Sequence, residues 1–468
     1  MARDTVTLLP EAILVAGAVG CLLLGSFTPR LQQGRVRLAA ALVALTAGIV
    51  SGVALLGDST SAFSGTFVAD GLTGVLRLTV CLGLLVLLGL AREVRGHPRE
   101  SEVAVLMLFG AAGVMLMGGV QDTAVLLVAF FLASIPLYGL VGLSSDARAP
   151  EAAVKTYLVG ALCGIFMMLG AAVLLGLVGD TAYASLARLA DTERAPAAAA
   201  VGGVALLLTG LLFKAGAVPA HLWVPDATQG SWVTTAAFLT TLPKLGAIAA
   251  VARLVMALPD QHRWPLLVAV IAAATMMVGN LAALGQSDVR RLLAWSTVSQ
   301  AGYLLAAAAA VRSPALGEGL GVATVTVFLA AYAVTNLGAF AVVAALPRLR
   351  DVDDWRGAAR AHPLLVAALV VSLLGLVGTP PTAIFVAKLA VLSTTWGAGL
   401  QWLAVLVAAN TVLSLAYYLR WVGACLRSRD DDGGMPGRLP VETRLAAGCA
   451  AAAVLLGVAA GPLLASVR

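Results

Sequence analysis

The sequence predicts an all-α polytopic membrane protein with about fourteen transmembrane helices, and three observations carry that expectation. Of the 468 residues, 60% are apolar and only 12% charged, far from the balance of a soluble globular domain. Apolar stretches of roughly 20 residues, enough to cross about 30 Å of hydrocarbon as helix, recur along the whole chain. The loop arginines fall into two unequal sets, as the cation bias of cytoplasmic loops requires.

Read against Gly, Pro and charged breaks, the spans lie near 8–26, 38–57, 70–91, 102–119, 122–143, 154–178, 198–217, 232–256, 264–285, 291–311, 320–345, 363–392, 399–426 and 444–466. Met1 to Pro10 carries one arginine, one aspartate and no cationic run before an apolar core, so the first span is expected to be retained rather than cleaved. An even count places both termini on one side. One set of loops then holds seventeen arginines between Arg30 and Arg444, Arg429 and Arg438 among them; the other holds Arg3, Arg188, Arg194, Arg263, Arg312 and Arg468. The arginine-rich loops are cytoplasmic by this rule, and both termini face away from the cytoplasm.

The longest loops, 179–197, 346–362 and 428–443, are too short for a separate soluble domain, so the chemistry must lie in the membrane. Cys21, Cys81, Cys163, Cys425 and Cys449 stand far apart with no CxxC or Cys/His cluster, which argues against disulfides, zinc and iron–sulfur ligation. The arginines are spread over many short loops and make no nucleic-acid patch. No P-loop or nucleophile elbow occurs, and Gly317, Gly319 and Gly321 open a span without a preceding strand, which fits helix packing. No redox cofactor or metal is expected in this chain.

The cations inside the spans are more informative. Lysine occurs four times, at Lys155, Lys214, Lys244 and Lys388, and the other twenty-six basic residues are arginine. An ammonium in an apolar site can lose its proton near neutral pH, whereas a guanidinium stays charged, so lysine suits a group that must bind and release a proton at depth. Lys214 ends a span that breaks at Gly216 and Pro219; Lys244 is central in Thr-Leu-Pro-Lys-Leu-Gly; Lys388 follows a second break at Gly378, Pro380 and Pro381. Broken helices are tolerated at depth where freed backbone groups line a polar path. Intramembrane ionisable residues are functional by default, against the plainer reading of snorkelling or statically paired cations. Lys155, four residues after Glu151 at a span start, fits snorkelling equally well.

His221 follows the first break and fits either a proton relay or a brace for that break. Ser296, Thr297, Ser299 and Gln300 share one span and either order water or join helices. Glu11, Asp70, Asp122 and Asp226 sit near span ends, where compensation of helix N-terminal charge is the plainer reading.

The run Phe213-Lys-Ala-Gly-Ala-Val-Pro-Ala-His-Leu-Trp-Val-Pro-Asp226, with Lys244 thirty residues after Lys214, resembles the seventh and eighth helices of the antiporter-like membrane subunits of respiratory complex I. Gly279-Asn-Leu-Ala-Ala-Leu, Arg291-Leu-Leu-Ala-Trp-Ser-Thr, Gly302-Tyr, Asn336-Leu-Gly-Ala-Phe-Ala-Val-Val343, Gly378-Thr-Pro-Pro-Thr, and Asn410 with Tyr417-Tyr-Leu-Arg420 match in order, covering essentially the full chain. The Asn336–Val343 segment, Lys388 where other branches have glutamate, and the short C-terminus resemble subunit N of type I NADH:quinone oxidoreductase.

The resemblance implies two inverted five-helix repeats, 102–256 and 264–426, each with a broken helix, preceded by 1–101 and followed by 427–468. It implies a subunit of the bacterial inner membrane that moves protons in response to quinone reduction elsewhere, with Lys214, Lys244, Lys388 and Lys155 on the proton path. Its partners would be other membrane subunits and the bilayer, and quinone only indirectly.

The chain departs from the family at Phe131, five residues before Pro136 in Ser134-Ile-Pro-Leu-Tyr138, where the family carries a glutamate that pairs with the seventh-helix lysine. Gln300 replaces a common histidine, and Gln229 with Trp232 stands where an acid and a proline are usual. These mark a divergent member. Multi-subunit cation/proton antiporters and membrane-bound hydrogenases share the motifs and remain an alternative. A non-conducting structural subunit, its pathway interrupted at Phe131, is another.

Overall fold

The computed structural model describes residues 2–191, 196–260, 263–313, 319–428, 437 and 440–466. Arg194, Arg429, Arg438, Arg468 and Gly317 therefore lie outside the described residues. In chain order the helices are α1 Ala2–Thr7, α2 Leu9–Phe27, α3 Gly34–Leu55, α4 Gly71–Leu90, α5 Glu100–Gly119, α6 Thr123–Gly142, α7 Ala149–Val178, α8 Ala197–Ala215, α9 Trp223–Gly230, α10 Val233–Ala257, α11 Trp264–Leu284, α12 Val289–Ala309, α13 Leu320–Ala345, α14 Ala358–Ala361, α15 Pro363–Val377, α16 Ala383–Gly397, α17 Gln401–Leu426 and α18 Pro440–Ser466. A short antiparallel hairpin, β1 Thr60–Ala62 with β2 Phe67–Ala69, joins α3 to α4 and pairs Thr60 with Ala69.

Among the described residues thirteen helices are long and apolar enough to cross a membrane. The expected span at 363–392 is divided between the shorter apolar helices α15 and α16. The chain is a multi-pass integral membrane protein, as the composition predicted.

Local chemistry sets many of the boundaries. Asp70, Asp122 and Asp288 cap the N-termini of α4, α6 and α12 by accepting backbone N–H bonds of 2.8–3.0 Å from the first turn. The helix-compensation reading therefore holds for Asp70 and Asp122. Glu11 instead accepts two bonds from Arg77 of α4, at 2.7 and 2.8 Å, in a buried pair. Asp70 serves a second role: Arg253 of α10 donates to it at 2.7 Å and to Thr73 at 2.8 Å. Burial pushes the Asp70 carboxyl up, but Arg253 and Thr73 together hold it below the usual carboxylate range.

The layers follow from side-chain size. α10, α12 and α13 are buried along nearly their whole length, whereas α2, α3 and α18 turn most of their surface outward and expose residues such as Leu23, Leu38 and Leu455. Apolar side chains on an outer helix suit lipid tails. The α11–α12 contact is close because Gly279 and Gly302 carry no side chain: a Cβ on Gly279 would collide with the Ser299 backbone, and one on Gly302 with Met276. This presses the polar stretch of α12 into the centre of the molecule.

Candidate functional site

The two predicted breaks are present, and each forms for a local reason. Gly216 ends α8 in the left-handed conformation at φ 67°, and Gly378 ends α15 in the same way at φ 88°. Pro219, and Pro380 with Pro381, follow within three residues, where a residue lacking an N–H cannot extend the helix. The 212–217 and 374–379 turns close by backbone bonds: Ala217 N–H donates to the Leu212 carbonyl at 2.8 Å, and Thr379 N–H to the Leu374 carbonyl at 3.1 Å. Trp223 donates its indole N–H to the Phe213 carbonyl at 3.1 Å and so ties α9 back onto α8.

Lysines lie against both breaks. A Cβ on Gly216 would sit 3.2 Å from Lys244 Nζ, and one on Gly378 would sit 3.0 Å from Lys388 Cδ. At each break glycine therefore serves twice, permitting the positive φ and leaving room for the lysine. Lys244 is buried in α10 and donates to the Thr297 carbonyl of α12 at 2.7 Å. Lys388 is buried in α16 and donates to the last carbonyls of α15, Val377 at 2.8 Å and Leu376 at 3.3 Å. Those carbonyls form the partially negative end of the α15 dipole and stabilise a cation there.

α12 joins the two lysines. Gln300, one turn beyond Thr297, donates to the same Leu376 carbonyl at 2.8 Å that Lys388 uses. Ser296 meets the hydroxyl of Tyr418 in a close hydrogen bond. Ser299 Oγ and Gln300 Oε1 are buried without a protein partner, so these polar atoms remain free to take a water or a proton carrier; Tyr303 Oη is buried likewise. The Lys244–Thr297 bond and the Gln300–Leu376–Lys388 bonds thus set both lysines along one buried polar axis on α12. His221, also buried, packs its ring 5.6 Å from that of Trp295, lies within electrostatic reach of Lys244, and leaves Nδ1 without a partner.

The other two lysines are different. Lys214 is completely buried at the end of α8, and its Nζ has no hydrogen-bond partner. It lies 5.4 Å from the ring centroid of Phe130 and 5.8 Å from that of Phe213. Phe131 packs on Phe130, ring centroids 5.3 Å apart, and faces Gly164 of α7. The structure thus brings Phe130, rather than Phe131, over the ammonium. Lys155 is 47% exposed and pairs with Glu151 at 2.6 Å and with Asp226 at 2.9 Å. Asp226 also holds Arg291 at 2.7 Å, which in turn donates to Gln229 at 3.1 Å. Asp226 therefore binds cations from α7 and α12 and is more than a helix-end charge.

The residue types alone did not point to Tyr303, Asn280, Asn410, Tyr417 and Tyr418. Asn280 donates to Asn410 Oδ1 at 2.9 Å and accepts from Tyr417 at 3.0 Å, which knits α11 to α17 beside the axis. Their only signal was membership in the matching motifs Gly279-Asn, Gly302-Tyr and Asn410 with Tyr417-Tyr. Asn336 donates to Thr241 at 2.7 Å, one turn before Lys244, and so braces that helix near Pro243.

With this geometry in place, similarities to known proteins become interpretable. Residues 121–414 match the family model described as NADH:quinone oxidoreductase/Mrp antiporter, TM. The chain is 47% identical to an NADH-quinone oxidoreductase subunit N of Mycobacterium sp. (strain JLS), covering 97% of this chain and 96% of the relative. It is 44% identical to subunit N 1 of Streptomyces griseus, covering 98% and 97%. A chain of respiratory complex I from Thermus thermophilus with bound aureothin superposes with a TM-score of 0.82 at 30% identity, covering 98% of this chain and 99% of that one. A chain of the Mrp complex from Dietzia sp. DQ12-45-1b reaches a TM-score of 0.83 at 21% identity, covering 99% and 96%, a likeness of fold.

Proposed function

The chain belongs to the NADH:quinone oxidoreductase/Mrp antiporter transmembrane family, and from that premise we propose that it moves protons through its buried lysines while other subunits of the enzyme carry the electrons. It is a subunit-N-type, antiporter-like membrane component of an NADH:quinone oxidoreductase, and its partners are other membrane subunits. The supporting observation is the axis in which Lys244 and Lys388 each lie against a left-handed glycine at a helix break and share α12 between them.

The chemistry follows from the groups present. An ammonium held by one or two carbonyls and no carboxylate can give up its proton without leaving an unpaired buried anion behind. The Thr297 carbonyl is the last hold on Lys244, and the C-terminal dipole of α15 is the hold on Lys388. Ser299 and Gln300, on the same stretch of α12, carry unpaired polar atoms that serve proton transfer through water. Lys155, exposed and paired with Glu151 and Asp226, is the entry group on the arginine-rich side. In this reading residues 102–256 and 264–426 act as two repeats, residues 1–101 and 427–468 flank them, the termini face away from the cytoplasm, and quinone is met only through neighbouring subunits.

Lys214 is the exception, since aromatic rings surround it where an acid would be needed for a switchable ion pair. That favours conduction centred on Lys244 and Lys388. The test is quinone-driven proton pumping in membrane vesicles with Lys214→Ala, Lys244→Ala and Lys388→Ala. The reading expects loss with Lys244→Ala and Lys388→Ala, and unchanged pumping in all three sinks it. Copurification with antiporter subunits in place of quinone-reducing ones would assign the chain to the antiporter branch.

A further inference from the structure

We propose that Tyr303 is a positioning residue for Lys388, with the face of its ring serving as the negative surface on which the ammonium rests. This rests on Lys388 being a proton carrier. Lys388 Nζ lies 3.9 Å from the centroid of the Tyr303 ring, well inside the range of about 6 Å over which a ring face attracts a cation. Two carbonyls, Leu376 and Val377, take hydrogen bonds from Nζ, and the ring covers a further side. Among the described residues no carboxylate forms an ion pair with Lys388.

The elements packed on α16 are α12, α13, α15, α17 and α18. The titratable side chains on their buried faces are Tyr303, Tyr332, Tyr417, Tyr418, Cys425 and Cys449, together with Glu442 in the first turn of α18 and Arg290 in the first turn of α12, which donates to the Ser231 carbonyl and Glu93. Glu442 is fifty-four residues from Lys388 in sequence and lies at the opposite end of α18 from Gly457, the residue that contacts the 381–383 turn before α16. The ring face and the α15 carbonyls are therefore the negative groups in contact with this cation. Lys214 makes the contrast, with ring centroids at 5.4 and 5.8 Å and no carbonyl.

The hydroxyl of Tyr303 is not the group that meets the lysine. It is buried without a hydrogen-bond partner and lies beside Ser299, Thr411 and Asn280. A ring seat and a hydroxyl relay therefore make opposite predictions for Tyr303→Phe. A desolvated ring face contributes enough to a cation that losing it moves a protonation midpoint by about one pH unit.

The experiment measures the pH profile of quinone-driven proton pumping by the assembled complex in vesicles, normalised to its quinone reductase turnover. Tyr303→Phe is expected to keep the wild-type profile. Placing 3,4,5-trifluorophenylalanine at position 303, which keeps the ring's shape but drains its face of negative charge, is expected to move the alkaline limb about one unit toward lower pH; Tyr303→Leu should move it the same way. An unmoved profile with the fluorinated ring overturns the proposal, and so does a Tyr303→Phe shift as large as the fluorinated one. The fluorinated ring keeps the test decisive if Tyr303→Leu does not assemble. Lys388→Ala separates the two levels: if it abolishes pumping while fluorination changes nothing, only the ring seat fails; if it leaves pumping intact, the lysine reading fails too.

Discussion

Replacing Lys214 with methionine should make the protein more stable, although it removes a group from the lysine series. Lys214 Nζ is completely buried and has no hydrogen-bond partner. A buried polar group left unpaired costs about 1–3 kcal/mol, and an ion costs more. Opposing this are the rings of Phe130 and Phe213, at 5.4 and 5.8 Å, near the outer limit of the attraction and contributing roughly 0.5–1 kcal/mol each. Desolvation wins. Methionine matches the length and fills the site among Phe130, Phe213 and α7, so Lys214→Met is expected to stabilise by about 1–2 kcal/mol. The five cysteines are all free and buried, so a thiol-reactive dye reports unfolding of the detergent-solubilised protein. The dye-detected midpoint should rise by a few degrees. A fall in the midpoint would refute the reasoning, because it would mean that the ammonium has a partner worth more than its desolvation.

Gly216→Ala should cost about 1–2 kcal/mol from the positive φ alone, and more because the new methyl meets Val224 at 2.8 Å and Lys244 Nζ at 3.2 Å; pumping should fall along with the thermal midpoint, and preserved pumping would uncouple Lys244 from the break. Phe131→Glu should restore little by itself, because Phe130 separates that position from the ammonium, whereas Phe130→Glu would place a carboxylate beside Lys214; a pH profile of pumping altered by Phe131→Glu but not by Phe130→Glu would contradict this geometry. Asp70 is held below its free value by Arg253, so its contribution is present above about pH 4 and lost as pH falls through the lowered folded value. Asp70→Asn should accordingly lower stability at neutral pH and flatten its acid dependence, and equal acid slopes for the two proteins would count against the ion pair. Asp226→Asn removes a carboxylate from both Lys155, which keeps Glu151, and Arg291, which keeps Gln229; since both cations are partly exposed, the stability loss should stay near or below about 1 kcal/mol, and the rate of proton uptake is the sensitive measurement.

The spans, the two breaks and the lysines themselves were legible in the sequence because each depends on neighbours in the chain. Apolar length decides whether a helix can cross the bilayer, and Gly216 with Pro219, or Gly378 with Pro380 and Pro381, ends a helix through φ and a missing N–H. Lysine in an apolar run is equally local. Partnership is not: Lys244 meets a carbonyl 53 residues away, Lys155 an acid 71 residues away, and Tyr303 comes to lie over Lys388 only once α12 packs on α16. The same limit explains Phe131, which chain position marked as the place of a counter-charge, while the rotation of α6 presents Phe130 to the lysine instead. Sequence alone determined that ionisable groups sit inside the membrane beside broken helices; helix packing, set by glycines such as Gly279 and Gly302 that let α11 and α12 close together, decided which groups hold them.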